Sequence, residues 1–234
     1  MRRGWRWCQL ILERLAGGLI VSVQAESESL LNTPDTISLL ARVAERNGAS
    51  GVRVEGAARI GAVRRAVSVP VIGIVKRVYA GVAPYITATL REVAEAAAAG
   101  ADIIAYDATL RPRPAGSSTA VLIEAIRTQG ALPMADCADL ADAQAAAAEG
   151  AAIVATTLCA YTDATHGTPL PALALVGALK EGTGIFTICE GGVSSPQDVA
   201  AAFAAGADAV VVGTAITNVD VLVRRFVCAA PKPG

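Results

Sequence analysis

Residues Ala96–Asp107 read "AAAAGADIIAYD", and the same grammar recurs in "AERNGASGVRVE" at Ala44–Glu55, "AAAAEGAAIVATT" at Ala145–Thr157 and "AAFAAGADAVVVG" at Ala201–Gly213. In each, a helical run stops at Gly and a short apolar run follows. Glycine supplies the left-handed residue that ends a helix, and an apolar run without alternation suits a parallel strand buried on both faces. A helix-to-strand unit repeated in this way builds a parallel sheet.

Working outward from these units, strands are expected near 19–23, 51–54, 71–75, 102–106, 132–135, 152–156, 185–189 and 208–212, with helices between most of them. Eight βα units in 234 residues fit a closed barrel better than an open doubly wound sheet, because eight strands close without edges and about 250 residues is usual for such a barrel. No G-x-G-x-x-G follows the first strand to support a dinucleotide fold. The expected architecture is α/β, a single-domain (β/α)8 TIM barrel of the phosphate-binding type over residues 17–230. Residues 1–16 form an N-terminal extension or a helix capping the barrel bottom.

Composition narrows the function. With 53% hydrophobic residues and a net charge of -1, the chain builds one large core. It has no basic stripe and few aromatics, which argues against nucleic acid as a partner and for a small molecule. Five cysteines (Cys8, Cys137, Cys159, Cys189, Cys228) are an odd number without C-x-x-C spacing. They support neither a disulfide framework nor a metal site and read as reduced thiols of a cytoplasmic protein. The start, "MRRGWRWCQLILERLAGGLIVSVQA", mimics a signal peptide, but Glu13 and Arg14 interrupt its apolar run and its second half serves as the first strand. Neither export nor a membrane span is expected. The one histidine, His166, lies in the turn-rich "TDATHGTP" and reads as an exposed loop residue.

In such barrels the active site lies at the C-terminal mouth, so residues just after each strand face one cavity. Here they are Gln24, Arg53 with Glu55, Lys76 with Arg77, Asp107, Asp136, Thr156 with Thr157, Glu190, and Gly213 with Thr214. That set is strongly polar, whereas the opposite strand ends are mostly Gly, Ala, Ser and Pro. The third strand, in "VPVIGIVKRVYAG" (Val69–Gly81), stops on Lys76 in a chain with three lysines and seventeen arginines. A desolvated lysine beside Arg53 or Arg77 becomes a usable neutral amine near pH 7, which arginine cannot. A structural lysine would instead pair with Asp or Glu across the mouth. Strand seven, "GIFTIC", runs into Glu190 across the barrel from Lys76. Two bases on opposite faces suit inversion at a carbon, and a plain ion pair is the competing reading.

The loops after strands seven and eight often hold phosphate through backbone N–H groups. "ICEGGVSSPQDV" and "VVVGTAIT" therefore nominate Gly191, Gly192, Gly213 and Thr214, with Arg77 as charge partner; ordinary tight turns are the alternative. Arg113 in "RPRPAGSS" is a candidate at the rim.

Eight blocks in order, "GGLIVSVQA", "PVIGIVKR", "YITATLREV", "DATLRPRP", "MADCADLADA", "TTLCAYT", "ICEGGVSSP" and "VVVGTAIT", give the chain a resemblance to the bacterial N-acetylmannosamine-6-phosphate 2-epimerases from Gly17 to about Cys228. The resemblance implies cofactor-independent interconversion of N-acetylmannosamine 6-phosphate and N-acetylglucosamine 6-phosphate in sialic acid breakdown. It implies that Lys76 and Glu190 form the acid/base pair, and that Gln24, Arg53 and Asp136 contact substrate or orient the catalytic groups. Phosphate would rest on Gly191, Gly192, Gly213 and Thr214, with Arg77 nearby. Tyr161 is expected to line the substrate site. A homodimer through the barrel helices belongs to the same expectation. "TTLCAYT" departs from the pattern, with Cys159 where relatives often have histidine, and Met1–Trp7 lies outside the resemblance.

Two other functions fit the same residues. A Schiff-base aldolase would use Lys76 as a nucleophile, and a non-catalytic phosphosugar-binding barrel would keep only the phosphate clamp.

Overall fold

Eight parallel strands pair in chain order and the last pairs back onto the first, so the sheet closes on itself. They are β1 Gly18–Val23, β2 Gly51–Glu55, β3 Val71–Ile74, β4 Ile103–Asp107, β5 Leu132–Asp136, β6 Ile153–Ala155, β7 Phe186–Glu190 and β8 Ala209–Val212. This computed structural model describes residues 5–114 and 117–231. Every strand expected from the sequence is present, each end within one residue of its expected position. Helices α2 Pro34–Arg46, α3 Ala57–Ala66, α4 Leu90–Ala98, α5 Thr119–Thr128, α6 Leu140–Glu149, α7 Leu173–Thr183 and α8 Pro196–Ala204 return the chain between strands. Helix α1 Trp5–Leu15 precedes β1, and α9 Thr214–Thr217 with α10 Val219–Ala229 follow β8. Among the described residues no helix is long and apolar enough to cross a membrane.

The four repeated units share one backbone device. Gly48, Gly100, Gly150 and Gly206 end their helical runs at φ +94°, +91°, +99° and +101°, the left-handed conformation in which a side chain is strained. The helix after such a Gly cannot continue, and the next strand starts within three residues.

Strand alternation sorts the core into two layers. One residue parity faces the barrel axis: Ile20, Ile72, Ile74, Ile103, Ala105, Leu132, Met134, Ile153, Ala155, Ile188, Ala209 and Val211 pack as one cluster. The other parity, including Val21, Val52, Val54, Val71, Ile104, Ala135 and Val154, packs outward in a cluster shared with helix residues such as Ile37, Ile60, Val93 and Ile123.

Helix α1 closes the N-terminal end of the barrel. Its Ile11 and Leu15 join the inner cluster, and Leu15 is fully buried, a burial that contributes about 1.5–3 kcal/mol. Gly51 leaves the room for it: a Cβ there would stand 2.8 Å from Leu15 Cδ2. With the bottom sealed by apolar groups, the polar strand ends gather at the opposite mouth.

Candidate functional site

Followed to the strand ends and just past them, the inward parity delivers Gln24 after Ile20 and Ser22, Lys76 after Ile72 and Ile74, Asp136 after Leu132 and Met134, Thr157 after Ile153 and Ala155, and Glu190 after Phe186 and Ile188. All of these except Asp136, which lies behind Arg53, line a cavity of about 350 Å³ at the C-terminal mouth. Its walls include Gln24, Arg53, Lys76, Tyr85, Thr157, Tyr161, Glu190, Gly191, Gly192, Ser194, Gly213, Thr214 and Arg225. A smaller recess of about 280 Å³ adjoins it, sharing Ser22, Gln24, Lys76, Gly213 and Thr214. A concave space of this size with a few convergent polar groups suits one small molecule.

Arg53 is the floor of the site. It is the largest fully buried side chain, 1% exposed, and its two terminal nitrogens grip both oxygens of buried Asp136, Nη1 to Oδ1 at 3.0 Å and Nη2 to Oδ2 at 2.6 Å. Nη1 also donates to Glu190 Oε2 at 2.7 Å. The Thr157 hydroxyl lies 2.7 Å from Asp136 Oδ1 and 3.3 Å from Glu190 Oε2. Burial disfavours the Arg53 charge, but Asp136 and Glu190 outweigh it and raise the guanidinium above its usual range. Arg53 is therefore a permanent cation inside the barrel.

Glu190 receives the opposite treatment. Removal from water pushes its carboxyl up to about 7; Arg53 and Lys76 pull it down, and Asp136 adds to the rise. One cation, Arg53, is shared between two carboxylates; Asp136 takes the bidentate contact and Glu190 a single oxygen. That asymmetry leaves Glu190 the carboxyl that can hold a proton near neutral pH.

Lys76 moves toward it from the other side. Burial lowers the ammonium below its ordinary range and the neighbouring Arg53 charge lowers it further, while Glu55, Glu190 and Asp136 oppose the change. The side chain opens into the mouth and is itself exposed, so residual solvation limits the depression. Its Nζ donates to Gln24 Oε1 at 2.9 Å, and Gln24 Nε2 in turn donates to Ser22 Oγ at 2.7 Å. This two-step relay along β1 fixes the amine over the cavity.

The glycine turns expected from the sequence to hold phosphate follow β7. Gly191 and Gly192 take φ +104° and +71°, and a Cβ on Gly192 would meet Leu170 Cβ at 2.3 Å. Among the described residues the backbone N–H groups of Gly192 and Val193 have no hydrogen-bond acceptor. Gly213 and Thr214 line the same cavity at the start of α9.

Not every expected residue lies in the cavity. Asp136 stands behind it, acting through Arg53. Tyr161 is at the rim, 61% exposed. Arg77 is turned away: it pairs with Glu92 at 2.6 Å and Glu95 at 3.1 Å on α4 and does not line the cavity. One residue beyond Lys76, it has the outward parity, which places it against the helix layer. Arg113 binds the backbone oxygens of Asp107 and Thr109 and is not a cavity residue. Cys159 is buried at 2% exposure and also absent from the walls. Sequence reasoning named Thr157 only beside Thr156 at the strand end, without a role, and left out Tyr85, Ser194 and Arg225. Inward parity after β6 points to Thr157; no periodic signal reaches Tyr85 or Arg225, which come from the β3–α4 loop and from α10.

Fold and mouth together define the class: a single-domain (β/α)8 barrel whose ionisable groups converge on one small-molecule cavity. Residues 37–232 match the family described as "Putative N-acetylmannosamine-6-phosphate epimerase". A protein of Thermosynechococcus vestitus named as a 2-epimerase of that kind is 44% identical over 217 residues, covering 92% of this chain and 94% of the relative. One from Escherichia coli O9:H4 is also 44% identical over 217 residues, covering 92% and 93%. The solved structure of the N-acetylmannosamine-6-phosphate 2-epimerase from Clostridium perfringens superposes with a TM-score of 0.90 at 34% identity, covering 94% of this chain and 96% of that one. The chain belongs to the N-acetylmannosamine-6-phosphate epimerase family.

Proposed function

We propose that the protein is an N-acylglucosamine-6-phosphate 2-epimerase, interconverting N-acetylmannosamine 6-phosphate and N-acetylglucosamine 6-phosphate in the cytoplasmic breakdown of sialic acid and related amino sugars. The observation that carries the reading is the pair Lys76 and Glu190 on one cavity, a base lowered and an acid raised from their ordinary values. Titratable groups displaced toward the working pH in one cleft mark acid and base roles.

The chemistry needs no redox change. In the open-chain sugar C2 adjoins the C1 aldehyde. The neutral Lys76 amine takes the C2 proton; the C–H electron pair moves into the C1–C2 bond and the carbonyl pair onto the C1 oxygen, giving an enolate. Protonated Glu190 then returns a proton to the other face of C2, and the aldehyde reforms. Lys76 and Glu190 recover their starting states by exchange with solvent. Gln24 holds the amine, and Arg53 with Thr157 holds the Glu190 carboxyl, so both face the substrate without reorganisation. Tyr85, kept protonated by burial and by the Asp136 and Asp107 charges, is placed on the wall to donate to developing negative charge. Phosphate rests against the turns at Gly191, Gly192, Gly213 and Thr214.

A homodimer belongs to the same reading, because α10 turns Val223, Phe226 and Val227 to solvent beside the cavity rim, an apolar strip that a second copy would cover.

The test is proton NMR of N-acetylmannosamine 6-phosphate in D2O with purified protein. The epimer is expected to form with deuterium at C2, and Lys76→Ala is expected to abolish both. Borohydride trapping of substrate on Lys76 would support a Schiff-base aldolase instead, and binding without turnover or exchange would support a binding barrel.

A further inference from the structure

Among the described residues the cavity walls carry three basic groups, Arg53, Lys76 and Arg225, against one acidic group, Glu190. Arg53 is matched by Asp136 below the floor, and Lys76 is held by Gln24. Arg225 has no ion pair or hydrogen bond among the described residues. It reaches the cavity from α10 and lines it together with Gly191, Gly192, Ser194 and Thr214. Its neighbour in sequence, Arg224, pairs with Glu26 in the segment after β1. That contact matters because no residue of α10 is buried: among the described residues one ion pair ties the helix to the segment after β1, the strand that pairs with β8.

We infer that Arg225 is the cation that recognises the substrate phosphate and sets the preference for phosphorylated over neutral amino sugars. The inference rests on the epimerase reading for the identity of the sugar, but its charge argument is separate. A phosphate dianion placed on the glycine turns needs a matching cation, and the expected one, Arg77, is committed to Glu92 and Glu95. Among the described residues Arg225 is the free guanidinium on that cavity, and guanidinium presents paired donors that fit phosphate oxygens. A bound phosphate also gives α10 a second tie to the barrel, with Arg224 to Glu26 as the first. The site is then completed by its ligand.

The experiment combines steady-state kinetics with calorimetric titration of inorganic phosphate. Arg225→Ala is expected to raise KM for N-acetylmannosamine 6-phosphate about 30- to 100-fold with kcat changed less than about 5-fold, the scale of one lost charge-assisted contact. The preference for the phosphorylated over the unphosphorylated sugar should shrink by the same factor. Arg225→Lys is expected to restore part of it, and Arg224→Ala to give a smaller KM increase. Inorganic phosphate should bind the native protein and lose most of its affinity for Arg225→Ala. Native turnover with an unchanged KM and phosphate affinity in Arg225→Ala would overturn the role of Arg225 while leaving the epimerase reading intact. Phosphate binding that depends on Arg225 in a protein without epimerase activity would do the reverse.

Discussion

Arg53 and Asp136 meet face to face inside the barrel, both guanidinium nitrogens on both carboxylate oxygens, with side-chain exposures of 1% and 0%. A buried ion pair of this kind adds little net stability compared with apolar residues, because desolvation offsets the attraction. Its presence here is explained by the third member, Glu190, which hangs on the same Arg53 nitrogen. In the proposed mechanism the pair is a fixed mount for a carboxyl that stays protonatable near neutral pH.

Replacing Asp136 by Asn leaves the Arg53 charge buried without its counterion. Breaking one partner of a buried pair costs about 3–5 kcal/mol, so Asp136→Asn is expected to lose stability on that scale in chemical denaturation. It also removes a negative neighbour that raises Glu190. The alkaline limb of the activity profile should then move to lower pH. An unchanged midpoint of that limb would show that Asp136 does not act on Glu190.

How much of this was legible in the sequence follows from periodicity. Helix, glycine and apolar run repeat in the primary structure, and the glycines recur at nearly one φ, so the barrel and its strand positions could be read directly. Strand-end reading also found Lys76, Glu190, Gln24 and Arg53. It failed where it ignored parity: Lys76 is two residues beyond Ile74 and faces the axis with it, whereas adjacent Arg77 faces α4. The same count singles out Thr157 from Thr156, whose hydroxyl goes instead to the Glu190 backbone oxygen. Tyr85 and Arg225 were invisible because their approach to the cavity depends on how a loop and a terminal helix fold back over the mouth, which no local pattern encodes.

Glu190 makes a stability prediction whose sign is fixed. Its carboxyl is raised from 4.5 to about 7 in the folded protein, so between those values the folded state binds more protons than the unfolded one. Stability from this group is present below about pH 4.5 and lost as pH rises through 7. The neutral Glu190→Gln side chain is immune to that loss. Its stability relative to the native protein is expected to improve by about 3 kcal/mol between pH 4 and pH 8. Urea melts across that range measure the difference; parallel curves would mean that Glu190 ionises normally.

Lys76 and Glu190 together predict a bell-shaped rate. Activity rises with pH as Lys76 loses its proton, below the ordinary lysine range because burial and Arg53 lower it. It falls as Glu190 ionises above about 7. The two limbs belong to the coupled pair. Lys76→Arg, which retains charge and length but cannot supply a neutral amine, is expected to lose about 10²–10⁴-fold in kcat with KM little changed. Near-native kcat in that variant would remove Lys76 from the proton transfer.

Gly192 tests the proposed phosphate contact without touching a charge. Its φ of +71° is costly for any residue with a Cβ, and that Cβ would collide with Leu170 at 2.3 Å. Gly192→Ala must shift either the turn after β7 or Leu170 beyond it. Strain of this kind costs about 1–3 kcal/mol, which thermal melts will register. The shift also moves the unbonded N–H groups of Gly192 and Val193 off the cavity wall, while Glu190 stays anchored two residues earlier by its contact with Arg53. The expected kinetic effect is a KM increase for the phosphosugar larger than the fall in kcat. A variant that loses kcat alone would place the turn in the service of Glu190 and leave the phosphate to the Gly213 side.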